Sequence, residues 1–350
     1  MAQKVLLIRF SSIGDIVLTS PVIRGLREQT GADIHYLTKQ AFRAIPDADP
    51  RVSRVYAIRQ RVGEVLPDLR AEKYDYVVDL HNNLRSWQVK VGLSPLRTGR
   101  RLLSRTFPKI NFAKWLMVRT KIDRLPRRHI VERYLDTIRP LGVEYDGQGL
   151  DFFIPESATV DLEELAQVYG ADYPEWAQSL RAGRYLCLVI GAAHATKRLT
   201  TEQLRKLAAD LPKPVLLLGG PADQAIGRLV ATDQPGVLDL SGRYSLHGSA
   251  SLVARSTGLI THDTGLMHIG AALRRPMVSV WGNTIPTFGM YPLYPSGADQ
   301  NTTFEVGGLP CRPCSKIGYA QCPQGHFRCM RDQDLNQIVD RAREFLGIQD

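Results

Sequence analysis

The first residues with the chemistry of a catalyst follow an apolar run near the N-terminus. Val5–Phe10 predicts a strand, and the polar loop after it carries Ser11, Ser12, Gly14 and Asp15 at the start of a predicted helix. A carboxylate in this position can act as a general base that deprotonates a substrate hydroxyl. A helix cap or first-turn acid explains Asp15 equally well. The loop lacks the three glycines of a dinucleotide fingerprint, which argues against a nicotinamide cofactor.

A second polar group follows the first predicted strand of the C-terminal half. Small residues at 191–193 permit close backbone approach to a ligand, and Thr196, Lys197 and Arg198 come directly after them. Hydroxyl and cationic donors of this kind suit a diphosphate. A Lys-Arg pair is also common on an ordinary solvated surface, so the pattern alone leaves both interpretations open.

The run 261–272 gives the strongest local signal. A predicted strand delivers Asp263, Thr264 and Gly265 to its carboxyl end, and a helix containing Leu266 and His268 begins at once. The first turn of a helix presents N–H groups and a positive dipole end, which together attract an anion. We expect Asp263 to cap the helix or to hold a sugar hydroxyl. His268 is either a ligand contact or a buried packing histidine.

The net charge of +10 is concentrated in one stretch of the chain. Residues 85–128 contain thirteen Lys and Arg and a single acid, Asp123, so this segment is +12 and the remainder is −2. A one-sided run of this kind repels itself unless an anion offsets it. We therefore expect an anionic partner here, although a solvated basic surface remains the alternative.

The cysteines are also unevenly placed. Cys187 lies in a predicted buried strand, and the other four crowd the C-terminal region near His326. Their spacing is C-x2-C-x7-C-x6-C, with members Cys311, Cys314, Cys322 and Cys329. A structural metal is one explanation of this group. Because the spacing lacks the usual second C-x2-C pair, we favour reduced packing thiols and predict no metal.

The elements that must position these residues alternate between strand and helix along the whole chain. Two sets of Val/Ile/Leu strands with intervening helices predict an α/β protein with two parallel-sheet, Rossmann-like domains. The 350 residues, 44% of them apolar, allow two such domains. The predicted organisation is an N-terminal domain (1–160), a linker (161–182), a C-terminal domain (183–333) and a last helix (334–350) packing back on the N-terminal domain. The longest apolar run is nine residues and no signal peptide is recognisable, so we expect a cytoplasmic protein.

Taken together, three motifs in this order resemble those of glycosyltransferase family 9, the ADP-heptose:lipopolysaccharide heptosyltransferases. They are the segments 9–15 (RFSSIGD), 195–198 (ATKR) and 263–268 (DTGLMH). The resemblance runs from residue 4 to about residue 331. It implies the GT-B fold, in which two Rossmann-like domains face one another across a cleft.

The resemblance also implies roles for individual residues. Asp15 is the implied catalytic base, and we expect its neighbours Ser11, Ser12 and Gly14 to line the acceptor-binding cleft. The implied donor-binding residues are Thr196, Lys197, Asp263, Thr264, Gly265, Leu266 and His268. No cofactor or divalent ion is implied.

We therefore expect an inverting enzyme that moves heptose from ADP-heptose to a lipid-linked, anionic inner-core saccharide at the inner membrane surface. A sugar-nucleotide epimerase of similar fold is a second hypothesis, and it would act without an acceptor. A nucleic-acid-binding protein that uses residues 85–128 is a third, but no aromatic-interleaved RNA motif is present, so we expect no nucleic-acid partner.

Overall fold

The computed structural model describes residues 3–94, 102–170 and 173–347. The chain divides into two compact units. The first comprises Met1–Asn111 and Pro126–Phe153, and the second comprises Phe112–Leu125 and Ile154–Asp350. The predicted domain boundary near 160 therefore moves a few residues towards the N-terminus, and a short segment of the N-terminal half belongs to the second unit.

The first unit is built on a parallel sheet. Its strands in the described residues are β1 (Lys4–Ile8), β2 (Asp33–Lys39), β3 (Val52–Ile58), β4 (Tyr76–Asp79) and β5 (Leu103–Thr106). They pair in the order β3-β2-β1-β4-β5, and every pairing is parallel. The apolar strands are covered by helices, as parallel sheets require. Strand β1 is thus the central strand, and its carboxyl end is a favoured position for a ligand site.

The helices of the first unit start near the carboxyl ends of the strands. They are α1 (Ile13–Val17), α2 (Ser20–Thr30), α3 (Ala44–Asp47), α4 (Leu66–Ala71), α5 (Leu84–Gly92) and α7 (Ile130–Leu135), while α6 (Asn111–Thr120) begins here and continues in the second unit. The sequence predicts one helix over 15–29, but the chain forms two. Pro21 lies in the first turn of α2, and because proline has no backbone N–H it cannot donate to the carbonyl four residues earlier, so a helix can begin here but does not run through this position.

The second unit contains a larger parallel sheet. Its described strands are β6 (Leu186–Val189), β7 (Val215–Leu218), β8 (Val237–Asp239), β9 (Gly258–His262), β10 (Met277–Trp281) and β11 (Asn301–Glu305). Their order is β11-β10-β9-β6-β7-β8. The helices are α8 (Leu162–Gly170), α9 (Pro174–Arg181), α10 (Thr201–Asp210), α11 (Gln224–Ala231), α12 (Leu246–Arg255), α13 (Gly265–Ala272), α14 (Arg328–Arg331) and α15 (Leu335–Phe345). Strand β9 lies centrally, so the residues after it occupy a position equivalent to those after β1.

Two expectations about connecting segments are wrong. The predicted linker 161–182 forms α8 and α9, which pack on each other within the second unit. The last helix, α15, belongs to the core of the second unit and not to the N-terminal domain, because its apolar face of Ile338, Val339 and Ala342 is buried in that core. In the described parts of the chain no helix is long and apolar enough to cross a membrane.

Candidate active site

Asp15 lies in the first turn of α1, just beyond the carboxyl end of the central strand β1. Its Oδ2 accepts hydrogen bonds from the backbone N–H of Ser12 at 3.1 Å and from the Ser12 hydroxyl at 2.9 Å. The side chain is 18% exposed. Both sequence interpretations of Asp15 are therefore compatible with the structure, since it closes the helix start and still borders solvent.

Arg9 is a partner of Asp15 to which sequence reasoning assigned no role. Its Nη2 lies 2.6 Å from Asp15 Oδ1, and the guanidinium is buried. The same group donates from Nε to the Ser11 carbonyl at 2.8 Å and from Nη1 to the Tyr134 hydroxyl at 2.9 Å and to the Leu80 carbonyl. Because each edge of the guanidinium is occupied, Arg9 is held rigidly and holds the carboxylate in turn. The only hint of this role in the sequence is that Arg9 lies in the motif that joins β1 to the following loop. Its partners become apparent only from the fold.

The pKa of Asp15 reflects two opposed effects. Burial acts to raise the pKa of the carboxyl, but the positive charge of Arg9 and the hydrogen bonds from Ser12 outweigh it, so the net pKa lies below the ordinary value. Asp15 is accordingly ionised at neutral pH. An ionised carboxylate with one face towards solvent can accept a proton.

The neighbouring strand β4 brings a histidine to the same edge of the sheet. His81 follows that strand and packs edge-on against Phe10, with ring centroids 5.3 Å apart. Burial, together with the charges of Arg9 and Lys109, lowers its pKa to about 4. The imidazole is therefore neutral at physiological pH and can donate or accept a hydrogen bond without carrying charge. Its buried Nδ1 makes no hydrogen bond within the described residues.

In the second unit, Lys197 and Asp263 form the pair that the sequence motifs predict to lie near one another. Lys197 Nζ lies 2.6 Å from Asp263 Oδ2, and the Thr284 hydroxyl donates to the same oxygen at 2.8 Å. The two charged side chains are largely but not fully buried, with 15% and 13% of their surfaces exposed. Asp263 therefore orients the ammonium group of Lys197 and does not cap α13.

The first turn of α13 is partly exposed, and no side chain caps its backbone N–H groups. Thr264 is its N-cap residue, and residues 263–266 are all partly exposed. The leading N–H groups of an α-helix have no acceptor within the helix. With the positive end of the helix dipole, these groups provide binding positions for an anion next to the Lys197–Asp263 pair.

Two predicted donor residues are placed differently. The Thr196 hydroxyl is buried, donates to the Tyr319 carbonyl at 3.2 Å and accepts from the Tyr319 N–H at 2.8 Å, so it fastens a loop and is not available to a diphosphate. His268 is buried in the second turn of α13, which fits its interpretation as a packing histidine. Arg198 pairs with Asp223 at 3.2 Å. Of the predicted donor set, Lys197, Asp263, Thr264, Gly265 and Leu266 come together.

The C-terminal cysteines are thiols in this structure. Burial raises the pKa of Cys329 to about 12 and also raises that of Cys314. Cys311 Sγ lies 3.8 Å from His326 Nε2. Across the described residues, no group of three or more His, Cys, Asp or Glu side chains is arranged to hold a metal ion.

The family model of glycosyltransferase family 9 (heptosyltransferase) matches residues 62–321. The chain belongs to this family. It is therefore a glycosyltransferase. The matched range covers the donor motifs of the second unit but begins after Asp15, so the role of Asp15 depends on the geometry around it.

Relatives and solved structures agree with this membership. Lipopolysaccharide heptosyltransferase 1 of Pseudomonas aeruginosa is 28% identical, covering 90% of this chain and 86% of its own. The structure of a family 9 glycosyltransferase from Veillonella parvula aligns with a TM-score of 0.73 at 20% identity, covering 99% of this chain and 97% of that one. ADP-heptose lipopolysaccharide heptosyltransferase II of Escherichia coli aligns with a TM-score of 0.67 at 18% identity, covering 99% of both. The family 9 enzyme thus has the GT-B fold, with two parallel-sheet α/β domains.

Proposed function

We propose that this family 9 enzyme transfers heptose from ADP-heptose to a lipid-linked, anionic inner-core saccharide of lipopolysaccharide, with inversion at the anomeric carbon. Its relatives are named lipopolysaccharide heptosyltransferases, and one similar structure is an E. coli heptosyltransferase with ADP. Membership in a glycosyltransferase family favours transfer to an acceptor. The epimerase hypothesis is disfavoured, since an epimerase would act on the sugar nucleotide without an acceptor.

The observation that carries the donor assignment is the open first turn of α13 beside Lys197. A nucleoside diphosphate requires several N–H donors and a cation at short range. Thr264, Gly265 and Leu266 supply the backbone groups, and Lys197 supplies the charge, already oriented by Asp263. As the bond to the sugar breaks, negative charge develops on ADP, and preorganised donors stabilise that charge with little reorganisation.

The proposed step uses Asp15 as the base. The acceptor hydroxyl oxygen attacks the anomeric carbon, and the bond from that carbon to the diphosphate oxygen breaks on the opposite face. The bonding electrons leave with ADP, and the hydroxyl proton passes to Asp15. Inversion follows from this single displacement.

The Arg9–Asp15 pair determines the timing of the proton transfer. A carboxylate with a lowered pKa is a weak base towards an alcohol. The hydroxyl becomes acidic only when its oxygen has begun to bond to the sugar, so the proton moves late in the step. Arg9 keeps Asp15 charged and correctly oriented until then.

The acceptor assignment depends on charge. The basic segment 85–128 supplies cations that match the phosphates and acidic sugars of an inner core, and an anionic membrane surface attracts it in the same way. We accordingly propose that the enzyme works at the cytoplasmic face of the inner membrane.

A direct test combines purified enzyme with ADP-heptose and a panel of truncated core acceptors. We expect ADP release that depends on the acceptor, and an NMR coupling constant in the product that shows inversion. ADP-heptose conversion without any acceptor would instead support an epimerase, and retention of configuration would exclude the single displacement.

A further inference from the structure

Helix α6 has an unusual surface for a helix of a folded protein. Its sequence, NFAKWLMVRT, is mostly apolar, yet none of its residues is fully buried. A helix with so much apolar surface is normally covered. Phe112 is 74% exposed and Trp115 is 52% exposed, and their rings stack with centroids 6.0 Å apart.

The exposed residues form one face. Phe112, Trp115 and Arg119 recur at intervals of three and four residues, which places them on the same side of the helix, and all three are exposed. We call these three residues the α6 face. The segment after the helix adds Ile122 and Arg124, which are also exposed. The result is a pair of aromatic rings next to positive charge.

The helix is held in place by other contacts. Lys114 Nζ lies 5.0 Å from the centroid of the Phe288 ring. Lys121 Nζ donates to the carbonyls of Pro313 at 2.8 Å and Cys311 at 3.2 Å. These contacts hold α6 against other residues of the second unit, within its first half and just beyond its last residue, and leave the α6 face exposed.

We propose that the α6 face inserts into the headgroup region of an anionic lipid surface. Tryptophan and phenylalanine side chains partition to the membrane interface, and basic side chains beside them attract anionic headgroups. A second copy of the chain is a poorer occupant, because a symmetric contact through this face would set Arg119 and Arg124 of both copies against each other. The inference rests on the proposed lipid-linked acceptor and identifies the element that brings the enzyme to it.

The sequence alone predicts this surface only in part. Apolar residues next to basic ones predict a surface-docking segment that includes Leu102, Phe107 and Trp115. In the structure Phe107 is buried and Leu102 packs against the core of the first unit. Trp115, from the same prediction, is exposed. Arg100 and Arg101 lie outside the described residues.

The test measures binding of the full chain to vesicles by co-sedimentation. We expect binding to phosphatidylethanolamine–phosphatidylglycerol vesicles, and much weaker binding to phosphatidylcholine vesicles. The double variant Phe112→Ala/Trp115→Ala should lose at least about tenfold in partition. Arg119→Gln should lose about fivefold, and this difference should shrink as salt rises from about 0.15 M to about 1 M.

Helix α11 offers matched controls in the same unit. Leu229 is 59% exposed and Arg228 is exposed beside it. Leu229→Ala and Arg228→Gln should bind vesicles as the wild type does. Equal binding by the α6 variants, equal binding to both vesicle types, or no binding by the wild type would each overturn the proposal. A changed sedimentation coefficient with unchanged vesicle binding would instead identify a subunit interface.

A second measurement separates this inference from the proposed function. On a water-soluble, delipidated acceptor, Phe112→Ala/Trp115→Ala should turn over at the wild-type rate, because neither ring is among the cations that we assign to the acceptor. Selective loss of vesicle binding with normal turnover supports the inference. A loss of turnover on the soluble acceptor as large as the loss of vesicle binding would overturn the inference. If the wild-type enzyme binds vesicles but is inactive on every acceptor, only the proposed function is refuted.

Discussion

Replacing Arg9 with Met should destabilise the first unit and raise the pKa of Asp15. The buried guanidinium contacts Asp15, Ser11, Leu80 and Tyr134, and Met fills a similar volume without charge or donors. Removing one partner of a buried ion pair costs about 3–5 kcal/mol because the other charge is left uncompensated. Since Asp15 retains some contact with solvent, we expect the lower end, about 3 kcal/mol of unfolding free energy in urea titrations.

The sign of the pH effect follows from the same contacts. In the wild type, the attraction of Arg9 outweighs burial and holds the pKa of Asp15 below its ordinary value. Without Arg9 the burial remains and the attraction is lost, so the pKa must rise. If Asp15 is the base, the acid limb of the pH profile of kcat/KM moves to higher pH in Arg9→Met.

Two further variants separate charge from geometry. Arg9→Lys keeps the positive charge but cannot make all the hydrogen bonds, so its acid limb should stay near that of the wild type while stability falls. Arg27→Met removes an exposed arginine whose side chain donates to the Ala32 carbonyl at 3.1 Å, and should change neither property. An Arg9→Met enzyme with wild-type stability, or with an acid limb at or below that of the wild type, would refute the reasoning.

Three other predictions concern the donor site and stability. Lys197→Ala should weaken ADP binding by about tenfold or more in calorimetry, since a hydrogen bond to a charged group contributes about 1.5–3 kcal/mol. The control Lys206→Ala breaks an exposed ion pair with Asp210 and should leave ADP binding unchanged. Thr264→Asp should raise the melting temperature by capping α13, worth about 1 kcal/mol, yet weaken ADP binding by repelling the diphosphate; tighter binding would contradict an anion site there. The hydrogen bond from Lys4 lowers the pKa of Glu72 to about 2. The ionised Glu72 therefore stabilises the fold above pH 4.5, and this contribution is lost as the pH falls towards 2. In Glu72→Gln, the free energy of unfolding should depend less on pH over that range. Parallel profiles for the two proteins would show that Glu72 is not responsible.

The fold could be read largely from the sequence because its central strands are unbroken apolar runs. The apolar runs at 215–218 and 277–281 predict strands, and both are confirmed to the residue as β7 and β10. The edge strands β5 and β11 escaped prediction because they are short, partly exposed and interrupted by polar residues. The position of α15 was wrong because an amphipathic pattern shows that a helix packs but not on which sheet.

The sequence predicts the residues of the candidate site only where a motif joins the end of a strand to the start of a helix. That rule located Asp15 and the first turn of α13. It did not reveal that Arg9 binds Asp15 or that Thr284 supports Asp263, because these partners meet only through strand order. It also did not show that the Thr196 hydroxyl is already occupied by the backbone of a loop more than a hundred residues away.

The central claim is that Asp15 accepts the proton of the acceptor hydroxyl while the second unit binds the donor. The most direct test compares Asp15→Asn with the wild type in two assays on the same preparation, transfer to a soluble acceptor and binding of ADP. Asn keeps the shape and can still accept a hydrogen bond from Ser12, but it cannot take up the proton. We predict a loss of transfer of about a hundredfold or more with ADP affinity unchanged. Transfer at the wild-type rate by Asp15→Asn would contradict the account.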